Sequence, residues 1–142
     1  MLKKIKKLKR IEWLLFLKAI FWTGIARILI VFFKLKQFSF ILGRHMAESV
    51  HTNSEKNIKT LSSVGLAIRR ASRLVPWRCK CYEQGIAAKI ILRKYGIETT
   101  FYYGVTKDKD KKLIAHAWVR SGEYIVTGKK GMKQFTVVGT FT

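Results

Sequence analysis

Two side chains in this sequence have the types and settings that covalent catalysis by a thiol requires. Cys81 opens a helix-like segment. His116 is the one polar residue in the strand-like run Leu113-Ile114-Ala115-His116-Ala117-Trp118-Val119. A cysteine enzyme attacks with the thiolate, and a helix N-terminus or a nearby imidazolium draws the thiol pKa down from ~8.5. An imidazole then moves the protons, held in orientation by a third group. Between the two thiols the helix dipole favours Cys81, because Cys79 falls in the link before the helix and reads as a spectator. The residues alone leave two other readings open. In one, both thiols are small buried hydrophobes and His116 is a hydrogen-bonded core histidine. In the other, Cys79, Cys81 and His116 hold a metal, although the one-residue gap is narrower than zinc sites use, and no metal is expected. His45 and His51 stand among polar residues and read as solvated.

The elements that must position this pair follow from periodicity. Ile58, Leu61, Val64, Ile68, Ala71 and Val75 recur at three- and four-residue spacing, which predicts an amphipathic helix ending near Pro76. Trp77-Arg78-Cys79-Lys80 links it to a second helix over 81–95. There Cys81, Gly85, Ala88, Leu92 and Tyr95 form one stripe, and Lys89, Arg93 and Lys94 lie away from it. Gly96 is a natural stop, since a left-handed position costs glycine little. From Ile97 the period becomes two. Residues 99–105, 113–120, 123–127 and 135–141 read as strands, with a polar turn over 107–112 and a tight Ser121-Gly122 hairpin. Short connections imply an antiparallel sheet, hence an α+β domain with helices first. Packing the Cys81 helix across that sheet would bring its N-terminus towards the middle of the strands, where His116 projects.

Ahead of this domain, residues 1–10 are a basic head and residues 11–33 are strongly apolar, interrupted by Glu12, Lys18 and Arg27. Lys18 breaks the apolar region that a signal peptide would need, and no small-residue cleavage site follows. The segment reads as a packed helix, an interfacial membrane helix or a docking surface, with a transmembrane span the least favoured. The polar connector over 45–57 places a boundary between a helical region, 1–44, and a domain, 45–142.

Lys and Arg number 29 against 8 Asp and Glu, a formal charge of +21. An anionic partner is implied, with an acidic lipid surface one option. No stripe of Arg and aromatic residues marks the second part, so no nucleic acid is expected there. A Cys-x-Cys pair does not form an ordinary structural disulfide, which points to reduced thiols and a cytoplasmic setting, with residues 1–44 the candidate for membrane association. No P-loop or dinucleotide fingerprint is present, and no cofactor is expected.

Pro76-Trp77, then Cys81-Tyr82-Glu83-Gln84, Lys94-Tyr95-Gly96-Ile97, Gly104-Val105 and Ala115-His116-Ala117-Trp118-Val119 resemble, in order and spacing, the leader peptidase of lasso-peptide biosynthesis. That family has a transglutaminase-like, papain-related fold, and the match spans roughly residues 76–128. The N-terminal region and length also resemble the stand-alone peptidase of the split systems. The resemblance implies cleavage of a ribosomally made precursor peptide between leader and core, with Cys81 as nucleophile and His116 as base and then acid. It implies as partners a separate leader-binding protein and an ATP-dependent cyclase. One departure stands out. The family often carries an Asp about a dozen residues beyond the histidine, whereas this chain reads Ile125-Val126-Thr127-Gly128 there. Thr127, a backbone carbonyl or Gln134 is then left to orient His116. A non-catalytic scaffold of the same fold and a basic membrane-surface or nucleic-acid binder are the competing classes.

Overall fold

The computed structural model describes residues 9–46 and 55–142. Among the described residues four helices precede the sheet: α1 (Arg10–Phe32), α2 (Leu35–Leu42), α3 (Glu55–Ser72) and α4 (Cys81–Lys94). Strands β1 (Thr100–Lys107), β2 (Leu113–Ser121), β3 (Tyr124–Thr127) and β4 (Thr136–Phe141) follow, with a 3₁₀ turn over Met132–Gln134. The architecture is α+β, as the periodicity predicts. The basic head up to residue 8, and the part of the connector that holds His51, lie outside the described residues. Glu55 and Asn57, expected in the connector, belong to the first turns of α3.

The apolar stripe of α3 buries Leu61, Val64, Ile68 and Ala71, while Ile58, near the helix start, is largely exposed. The α4 helix is central, packed by α1, by α3 and by the sheet. Every residue from Gly85 to Leu92 is buried. Lys89, expected away from the stripe, is therefore buried too, because no side of this helix segment faces water. Its ammonium donates to the Thr99 carbonyl, which replaces the lost hydration. Gly85 permits the closest approach to the sheet. A Cβ there would stand 2.7 Å from the Phe101 ring and 3.5 Å from Val119. The helix ends where Gly96 adopts φ +68°.

The sheet is antiparallel in the order β3-β2-β1-β4. Short connections account for β1-β2-β3, and the last strand crosses over to pair with β1. Asp108 closes the first turn by accepting from the amides of Asp110 and Lys112. One face, with Phe101, Ala117 and Val119, is buried in the core shared with the helices. On the other, Tyr102 stacks on Trp118 at 5.4 Å between ring centroids, and Arg120 donates to the Tyr102 hydroxyl.

Candidate active site

The segment that delivers Cys81 is held from three points on α1. Gly24 sits against the Trp77 ring, where an added Cβ would come within 3.3 Å. The Thr23 side chain hydrogen-bonds Cys79. Arg27 Nη1 contacts Glu83 Oε1 at 3.2 Å, and the second oxygen of Glu83 accepts the Lys80 amide at 3.0 Å. Glu83 thus caps the helix in the manner of an N3 glutamate while buried to 2% exposure. Gln84 Nε2 donates to the Cys79 carbonyl and closes the link from the other side. The sequence contains the signal for part of this, a Glu three residues after the cap position. The partners on α1 carry none.

Cys81 is half-buried, and its sulfur hydrogen-bonds the backbone of Ala117 on β2, the residue next to His116. That bond favours the thiolate, so the donor is the amide N–H. The amide is open to it because β3 pairs with β2 only as far as Val119–Thr127. The helix reaches β2 through the face of Ala117 and Val119, whereas the alternating register places His116 with Trp118 and Phe135, at 5.9 and 5.1 Å between ring centroids. The thiol therefore meets the strand backbone beside His116, rather than the imidazole projecting from the middle of the strands. Among the described residues Cys81 has no hydrogen bond to His116.

His116 is held by a backbone carbonyl. Its Nε2 lies 2.8 Å from the Gly128 oxygen. A carbonyl can only accept, so Nε2 carries the hydrogen, and in the neutral ring Nδ1 keeps the basic lone pair. Neither Thr127 nor Gln134 holds the ring: among the described residues Thr127 Oγ1 is buried without a hydrogen-bond partner, and Gln134 lies exposed in the 3₁₀ turn. Gly128 ends the stretch Ile125-Val126-Thr127-Gly128, which contains no carboxylate. Its φ is +75°, and a Cβ would fall 2.2 Å from the Ala117 carbonyl oxygen. Only a residue without a side chain fits this crossing, and that constraint makes the carbonyl available.

Burial pushes the Cys81 thiol above its ordinary value, opposed next by the Ala117 amide. The Glu83 carboxylate adds to the rise, and the amide of Cys81 itself and Arg78 oppose it. The downward shift expected from the helix start is thus overturned in the free chain, because desolvation of the sulfur outweighs the local donors. Cys79 is pushed up further, to about 11, by burial and then by Glu83, against its bond with Thr23.

A cavity of about 370 Å³ borders this arrangement. Its wall includes Gly65 and Arg69 of α3, Gln84 of α4, and the chain from Glu123 through Gly128 to Lys129. Among the described residues no group of three or more His, Cys, Asp or Glu is placed to hold a metal ion.

Compared with known families, residues 29–140 match the model described as the transglutaminase-like superfamily. No curated protein and no solved structure matches the chain.

Proposed function

We propose that this chain, which belongs to the transglutaminase-like superfamily, is a cysteine peptidase that removes the leader from a ribosomally made lasso-peptide precursor. One observation carries the catalytic part. The thiol at the start of the central helix rests on the β2 backbone one residue from a histidine whose ring is already oriented. The leader-peptide part rests on the ordered resemblance from Pro76 to Val119.

In the proposed reaction the precursor lies along the cavity beside β3, and its scissile carbonyl reaches Cys81. The sulfur leaves the Ala117 amide, and its proton passes to Nδ1 of His116. The thiolate attacks the carbonyl carbon, and the first-turn amides of α4 face the charge that develops on oxygen. The C–N bond breaks as the imidazolium returns the proton to the leaving amine, which frees the core peptide. Water then attacks the thioester with the same imidazole as base. The freed α-amine is the group that an ATP-dependent cyclase joins to an acidic side chain, and a separate leader-binding protein presents the precursor. Thiol–imidazole contact forms as substrate binds, consistent with catalytic hydrogen bonds that tighten only in the Michaelis complex.

Cleavage of the cognate precursor, followed by mass spectrometry with its leader-binding protein present, tests the proposal. Cys81→Ala is expected to abolish cleavage with the fold intact, and Cys79→Ala to stay within roughly a few-fold of the parent. Full activity of Cys81→Ala would sink the proposal. The raised thiol pKa favours a second reading, a scaffold that binds precursor without cutting it. In that case precursor binds the parent and the Cys81→Ala variant equally, and neither releases core peptide.

A further inference from the structure

The inner face of α1 is committed to the domain. Leu15, Phe16, Ala19 and Ala26 are buried, and Gly24 and Arg27 grip the segment around Cys81. The outer face is apolar as well. Leu14, Leu17, Phe21, Ile28 and Phe32 fall within an arc of roughly 60° at 3.6 residues per turn. They are 53, 53, 59, 50 and 74% exposed. Single exposed apolar residues need no explanation, but a contiguous row along a six-turn helix marks an interaction surface (about six turns at 3.6 residues each).

The surrounding charge selects the partner. Lys9, Arg10, Lys18, Lys34 and Lys36 are exposed on or beside this helix. Lys3, Lys4, Lys6 and Lys7 precede it in sequence, and Glu12 is the one acidic residue among the first 44. An apolar row bordered by cations fits a surface that is apolar below and anionic above.

We propose that α1 lies flat in the interface of an anionic lipid bilayer, outer face down, and so holds the rest of the chain at the membrane surface. The helix is long and apolar enough to cross a membrane. Crossing, however, would withdraw Arg27 from Glu83 and Gly24 from Trp77, and so release the support of the Cys81 segment. The interfacial position keeps both. This inference does not depend on the peptidase reading, since its test reads binding alone.

The test is sedimentation of the full chain with phosphatidylcholine vesicles with and without phosphatidylglycerol, at low and high salt. The parent is expected to pellet with the anionic vesicles, less so at high salt, and Leu17→Glu/Phe21→Glu to bind roughly tenfold or more weakly with unchanged circular dichroism. Phe32→Glu, at the helix end, serves as a second variant should the first misfold. Three outcomes would overturn the proposal: no pelleting, equal pelleting of parent and variants, or a lipid-free oligomer that the same substitutions break. The last would assign the face to a second copy of the chain.

Discussion

At Gly128 a backbone carbonyl, and not a carboxylate, meets the imidazole of His116, and this has consequences. A carbonyl fixes the ring and its tautomer as a carboxylate would, but charge-assisted hydrogen bonds are about twice as strong as neutral ones. The proposed site is thus oriented without a full counter-charge for the imidazolium. Gly128→Ala would force the chain away from the Ala117 carbonyl, 2.2 Å from the new Cβ, and turn the acceptor off His116. Precursor cleavage should fall on the order of a hundredfold in kcat, the scale of an ångström misplacement, with KM little changed. The thiols provide a second test at this scale. Cys79, at about 11, is ionised in roughly one molecule in ten thousand at pH 7, and the Cys81 thiol is raised too. Alkylation of both by iodoacetamide, mapped by mass spectrometry, should be slow below pH 7 and climb through the alkaline range. Fast labelling of Cys81 in acid would contradict the dominance of burial.

At the scale of elements, α1 works as a splint for the segment around Cys81. Its Arg27–Glu83 contact joins a guanidinium about a third exposed to a carboxylate almost wholly buried. Breaking a fully buried pair costs about 3–5 kcal/mol because a charge is left without its partner, and solvent screening at Arg27 reduces that. Arg27→Met should therefore destabilise the fold by about 1–3 kcal/mol, read as a lower urea midpoint. It should slow cleavage as the start of α4 loosens. Adding Glu83→Gln removes the stranded charge, so the double variant should recover part of the stability. Two losses that simply add would show that the residues act independently.

Across the whole molecule, burying α4 on all sides has a cost that pH can reveal. Lys89 is lowered from 10.5 to about 8, chiefly by burial, then by Arg93, against Glu98. Between those values the unfolded chain binds the extra proton, so stability rises with pH as the folded-state penalty on the ammonium is relieved. From about pH 8 upward the raised thiols work in the opposite sense, because the unfolded chain loses their protons first, near the ordinary thiol value of ~8.5. The comparison with Lys89→Met, which leaves the thiols in place, therefore isolates Lys89. Denaturant melts from pH 8 to 9 should show the parent gaining about 1 kcal/mol relative to that variant. An unchanged slope in that variant would assign the effect to another group.

The helix that begins at Cys81, the strand around His116 and the α+β order were legible in the sequence, because each follows from apolar spacing over a few residues. The Glu three residues after the cap position and the stop at Gly96 are equally local. Four features were not legible. Ala117 receives the sulfur, Gly128 holds the imidazole, Lys89 is enclosed, and the outer row of α1 is left uncovered. Each depends on neighbours brought together from distant parts of the chain. His116 shows the division most clearly. Its chemistry and its strand were set by the sequence itself. The partner of its Nε2 was decided only when β3 ended beside β2, because the acceptor is a backbone atom that every residue possesses. The thiol reversed for a related reason. A helix start is a local property that favours the thiolate, whereas desolvation sums over everything packed around the sulfur, and here the packing wins.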